Sequence, residues 1–208
     1  HNPLGDVVCV VMSDIVNYLN KQVPIPSEAG YKSYINDLIN INQYLDQKIR
    51  ENFKYRLYHT NFNREVLGAK YKFLSSGLKD SIDNNNQTFY ERISKSRLVI
   101  ISYRPGTTAT EVLSANIPSL HFCPIDSGEL NTNATKSYEA LKEVGIFHDN
   151  IKSLSRKINE VYHHIDEWWY SKEVQSAVRF FCNNYAYTDD NFMDIWVEEL
   201  DTQINLKR

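Results

Sequence analysis

Cysteine is scarce in this chain: three among 208 residues, at positions 9, 123 and 182. They form no C-x-x-C pair, and Cys9 and Cys123 sit inside apolar runs where a thiol behaves as a small hydrophobe. This argues against a disulfide scaffold and for a reducing compartment. The six histidines show no H-E-x-x-H or other metal-ligand spacing, and the adjacent His163 and His164 point to different sides of a helix, so no cofactor metal is expected. No apolar run approaches the roughly 20 residues of a membrane span, and no basic head precedes an apolar stretch as in a signal peptide. Charge of one sign is also missing. Lys and Arg number 23 against 26 Asp and Glu, a net charge of -3 without a basic face, which argues against nucleic acid and anionic membrane as partners. A cytoplasmic location follows as the expectation, and the chain starts at His1 rather than at methionine, as an excised part of a longer protein would.

What is present is an alternation of apolar runs and amphipathic segments. DVVCVVM, Asp6 to Met12, is a nearly continuous β-branched run of the kind that parallel sheets bury on both faces. After the loop PIPSEAG, the spacing of Tyr34, Leu38, Ile41, Leu45 and Ile49 predicts one long helix from Tyr31 to Asn52. KYRLYH, Lys54 to His59, alternates as a strand; Asn61 to Lys72 reads as helix or loop, and DNNNQT as a turn. FYERISKS predicts a short helix, LVIIS (Leu98 to Ser102) a buried strand, and a helix then runs through Ala115 with Asn116 as its C-cap before the strand SLHF. Beyond Asn133 all segments read as helical, with Gly145 closing the first, Ser153 and Ser171 as N-caps and Asp189, Asp190 and Asn191 opening the last. The expected architecture is a single α/β domain over 1–208, a Rossmann-like doubly wound parallel sheet (1–132) closed by C-terminal helices (133–208). Trp168, Trp169, Trp196, Phe180 and Phe181 are expected in the helix-packing core.

The stretch that could carry chemistry follows LVIIS. In an open parallel sheet, ligands collect where strands end and helices begin, because free backbone N–H groups and the positive helix end converge there. Gly106 would permit a backbone conformation or a close approach that a Cβ obstructs. Thr107, Thr108 and Thr110 would present hydroxyls around the first helical turn, and Arg104 a cation, so that a mono- or diphosphate could be held there. Glu111 has two readings: with Thr108 it makes the T-x-x-E of a capping box, or it accepts hydrogen bonds from ribose hydroxyls. Arg56 and His59 would lie on the same rim if their strand is parallel to LVIIS, either as phosphate or base contacts or as a solvated edge. Ser13 and Asp14, after the first strand, read as an N-cap or as cleft-facing groups.

The block SRLVIISYRPGTTATEVLSANIPSLHF resembles the nucleotide-binding core of GT-B glycosyltransferases, in which a strand, a small-polar turn, a helix with an early Glu and an N-I-P return strand recur. Together with the segment from SYEALKEVGIFHDN to FMDIWVEEL, it resembles the carboxyl-terminal part of a transferase family of bacterial O-antigen and surface-polysaccharide clusters, over Ser96 to about Leu200. The resemblance implies a GT-B half-domain that binds a nucleotide-activated sugar, with Arg104 to Glu111 as the donor loop: Arg104, Gly106, Thr107 and Thr108 on phosphate, Glu111 on ribose. It also implies metal-independent transfer to a glycan acceptor, an amino-terminal domain outside this chain that carries acceptor and base, inactivity of this half alone, and work in the cytoplasm, including the inner face of the membrane. Two other readings stay open: a GT-B-like scaffold without turnover whose aromatic C-terminal helices bind a partner, and a sugar-nucleotide epimerase.

Overall fold

A computed structural model of the chain describes residues 2, 4–11, 28–57, 68–102, 106–124, 132–187 and 189–206. Its strands are β1 (Val7–Val10), β2 (Phe53–Arg56), β3 (Leu98–Ser102), β4 (Ser119–Phe122) and β5 (Phe147–His148). They form one sheet, parallel throughout, in the order β2-β1-β3-β4-β5. On the far side of β2, Ile82 makes an isolated parallel bridge to Tyr55, and the Asp83 N–H donates to the Tyr55 carbonyl at 2.8 Å. With that bridge counted as a rudimentary strand, the spatial order becomes third, second, first, fourth, fifth, sixth, which is the Rossmann order.

The helices are α1 (Glu28–Asn40), α2 (Gln47–Glu51), α3 (Ala69–Ser75), α4 (Phe89–Ser94), α5 (Thr107–Ser114), α6 (Thr132–Glu143), α7 (Ile151–Val161), α8 (Ile165–Trp169), α9 (Lys172–Tyr185) and α10 (Phe192–Leu206). The β-branched strands are buried on both faces because helices cover both. Val7, Cys9, Leu98, Ile100, Leu120 and Phe122 pack against Ile35 and Leu38 of α1, Phe73 of α3, and Leu154 and Ile158 of α7. Val8, Val10, Val99 and Ile101 face the other way, onto Ile93 of α4 and Ala109 and Val112 of α5. A third cluster gathers Leu113, Leu141, Phe147, Trp169, Val178 and Phe181 around the β5 edge. Among the described residues no helix is long and apolar enough to cross a membrane.

Several expectations change at the level of elements. The long helix from Tyr31 to Asn52 is three pieces: α1, a 3₁₀ turn over Ile41–Gln43, and α2, while Tyr34, Leu38, Ile41, Leu45 and Ile49 are all buried as the spacing requires. The poor helix formers Asn40 and Asn42 mark the break, and tertiary bonds satisfy the groups freed there. Asn159 donates to the Tyr44 carbonyl at 2.9 Å and accepts from the Asp46 N–H at 3.2 Å. β5 lies in the stretch read as wholly helical. Gly145 ends α6 with φ 74, and Ile146 and His148 then offer carbonyls to the N–H groups of His121 and Cys123 at 2.7 and 2.9 Å. The cap of α7 is Asn150, whose side chain accepts from the Ser153 N–H, not Ser153 itself; Ser171 does cap α9. α5 ends one residue earlier than expected, at Ser114 with Ala115 as its C-cap, and Asn116 follows in the left-handed region at φ 51. Its carboxamide and carbonyl both accept from the Trp169 indole, which fastens α8 to the end of α5. Trp169 and Phe181 are core residues, but Phe180 is exposed and Trp196 is 62 % exposed, because α10 buries none of its residues.

Candidate functional site

α1, the helix that follows β1, packs on one face of the sheet, and α5, the helix that follows β3, packs on the other. The crevice of a doubly wound sheet therefore opens above the carboxyl ends of these two neighbouring strands. Its floor is held by hydroxyl groups. Ser102, last residue of β3, donates from Oγ to the Val10 carbonyl at 2.6 Å and lies 2.7 Å from the Tyr34 hydroxyl of α1, so that β1, β3 and α1 are tied together at this end of the sheet. The Cys9 thiol also bonds to Ser102, and burial pushes it up to about 12, which leaves it an inert thiol. The sequence reading gave Ser102 and Tyr34 no role. A serine closing an otherwise apolar strand just before a turn was the available signal.

The front wall is the amino end of α5. Gly106 is its N-cap in an extended conformation (φ -150, ψ -167), without a side-chain cap. Among the described residues nothing accepts from the backbone N–H of Thr107 or Thr108, so these donors, with the positive end of the helix dipole, face outward. Thr107 is exposed and Thr108 half-buried. The Thr110 hydroxyl instead turns back to the Thr107 carbonyl at 2.7 Å. No atom lies within 4 Å of where a Cβ on Gly106 would stand, so the fold itself does not demand glycine there. The close packing expected at Gly106 is found at Gly5, whose added Cβ would meet the Lys95 carbonyl.

Glu111 forms no capping box with Thr108, because the helix starts at Thr107 and Thr108 is already its second residue. Its carboxylate faces the exposed Tyr90 phenol of α4, and this neighbour raises the Tyr90 hydroxyl above its ordinary value. Tyr90 went unremarked in the sequence. The T-x-x-E signature operates one helix earlier: Thr88 caps α4, accepting from the Glu91 N–H, while the Glu91 carboxylate accepts from the Thr88 N–H at 2.9 Å. Arg104, His59, Ser13 and Asp14 lie outside the described residues.

Arg56 ends a strand that is parallel to β3, level with Val10. Its guanidinium nevertheless turns to the edge, donating to the Gln87 carbonyl at 2.8 Å and standing 3.6 Å from the Asp83 carboxylate. Asp83 also receives Arg92 Nε at 2.8 Å, and Arg92 Nη2 reaches Asp6 at 2.8 Å. The chain Arg56, Asp83, Arg92, Asp6 balances two cations with two carboxylates beside a polar recess of about 460 Å³ bordered by Lys54, Asn85 and Lys95. This is a structural role, and it keeps Arg56 out of the crevice. Among the described residues no group of three His, Cys, Asp or Glu side chains is disposed to hold a metal ion.

Among the described residues the arrangement thus offers helix donors without partners, two threonine hydroxyls, open space beside a glycine, and a carboxylate facing a phenol, all at the carboxyl end of β3. A family model described as LIC12162 family transferase matches residues 1–200. No match was found among curated proteins.

Proposed function

The chain belongs to the LIC12162 family of transferases, and from that premise we propose that it binds a nucleotide-activated sugar and serves transfer of the glycosyl group to a bacterial surface glycan. The observation that supports this most is the amino end of α5 at the carboxyl end of β3, which has no side-chain cap and, among the described residues, no atom close to where a Cβ on Gly106 would stand. An anion fits there for two reasons: the helix end presents N–H groups that lack partners among the described residues, and it carries about half a positive charge. The donor phosphate sits on the Thr107 and Thr108 N–H groups and hydroxyls, with Arg104 as the neutralising cation. Glu111 takes the ribose hydroxyls, exchanging the Tyr90 phenol for them.

In the reaction the bond between the anomeric carbon and the phosphate oxygen breaks, and the nucleotide leaves with the electron pair. The acceptor hydroxyl oxygen bonds to the anomeric carbon and gives its proton to a base on an amino-terminal domain of the GT-B kind. This half supplies electrostatic stabilisation of the departing phosphate, where charge grows in the transition state, without a metal ion. Alone it binds donor but does not turn it over.

The test is a titration of the chain with UDP, CDP, CMP and GDP, followed by thermal unfolding. One nucleotide at about 100 times its dissociation constant is expected to add roughly 2.7 kcal/mol of stability. Thr108→Ala and Gly106→Ala are expected to lose that gain while keeping the unliganded melting temperature, since neither side chain is part of the packing. Stabilisation by none of the four, or stabilisation that both variants retain, refutes the donor site.

A further inference from the structure

The least explained part of the molecule is α10. It is a helix of 15 residues with none buried, and it contributes no residue to any of the three apolar clusters. Five of its eight apolar residues share one face, while Phe192, Ile195 and Leu206 lie off it. Met193, Trp196, Val197, Leu200 and Ile204 follow the i, i+3, i+4, i+7 spacing of one helix face, and they are 62, 62, 56, 53 and 54 % exposed. Contiguous apolar surface of this kind on a folded chain marks a place that something else covers. The tryptophan is the residue type that most often anchors such a contact.

The charge on the helix selects the occupant. From Asp189 to Leu206 there are six acidic residues, Asp189, Asp190, Asp194, Glu198, Glu199 and Asp201, and no Lys, Arg or His. By the 3.6-residue turn, Asp194 and Asp201 border the stripe on one side and Glu199 lies beyond it on the other. A second copy would bring the same acidic borders against each other. A membrane surface would repel them, since helices that lie on anionic bilayers carry Lys and Arg instead. An apolar groove edged with lysine and arginine satisfies both the stripe and its borders, in the helix-in-groove mode read by anchors at i, i+3, i+4 and i+7.

We propose that α10 is a docking helix whose stripe from Met193 to Ile204 enters an apolar, lysine- and arginine-edged groove on a separate protein. This does not depend on the donor site at α5.

Two synthetic helical peptides with the same leucine stripe test it, one flanked by lysines and the other by glutamates, each titrated onto the full chain by fluorescence anisotropy. The lysine peptide is expected to bind at least about tenfold more tightly than the glutamate peptide, and to weaken as salt screens the borders. The double variant Leu200→Asp, Ile204→Asp replaces exposed side chains and so keeps its melting temperature. It also adds negative charge, so mere electrostatic adhesion would strengthen, whereas docking through the stripe is expected to weaken at least about tenfold. The proposal is overturned by absence of binding, by stronger binding to the double variant, by self-association in sedimentation that the double variant abolishes, or by partition of α10 onto phosphatidylserine vesicles.

Discussion

At the scale of single residues, the buried imidazoles set the acid limit of the fold. Burial lowers His121 to about 3, and the nearby His148 adds to the effect. Burial lowers His148 to about 4 against the opposing bond from its ring to the Gly145 carbonyl. Both groups stay neutral in the folded chain but take up a proton near pH 6.5 once unfolded. Stability is therefore complete above about pH 6.5 and falls as pH drops toward 4, by up to about 1.4 kcal/mol per pH unit for each group. Urea unfolding from pH 7 to pH 4.5 checks this, and His121→Gln with His148→Gln is expected to flatten the profile. Arg92 governs a different cost. Its side chain and that of Asp83 are 7 and 6 % exposed, so Arg92→Met leaves a buried carboxylate with only the more distant Arg56. A loss of about 3–5 kcal/mol is expected, read as a fall in denaturant midpoint. Arg92→Met with Asp83→Asn is expected to recover part of it.

Among elements, the capping box at Thr88 and Glu91 makes the start of α4 a local feature. Thr88→Ala is expected to cost about 1 kcal/mol in thermal or urea unfolding. How far the elements were legible depended on what fixed them. LVIIS was readable to the residue because a strand buried on both faces favours an apolar run, whereas SLHF, with the buried polar Ser119 and His121, was marked by the Pro118 stop before it. The five apolar positions from Tyr34 to Ile49 were readable as buried, but the breaks between α1 and α2 were not, since Asn159, more than a hundred residues away, supplies the bonds that permit them. β5 was hidden by its length: two residues carry no alternation to recognise, and only the neighbouring β4 makes them a strand. At the site, periodicity placed the amino end of α5 after β3, yet the approach of Tyr90 to Glu111 brings two helices together and has no trace in local sequence. Trp196 was expected inside because an amphipathic stripe looks the same whether its own chain or another surface covers it.

For the molecule as a whole, the separation of α10 from the three clusters has a direct thermodynamic expression. A chain ending at Tyr187 is expected to fold with an unchanged melting temperature, because no buried surface leaves with α10; a large drop would mean that the helix packs on the body. The two flanks of the sheet carry another consequence. One finishes in the lone Ile82 bridge and the other in the two residues of β5, so the hydrogen-bonding ladder is spent almost as soon as it reaches either border. Little is left there for an incoming chain to template on, and concentrated solutions should resist fibrillation and seeding through strand addition even though the interior is rich in β-branched residues.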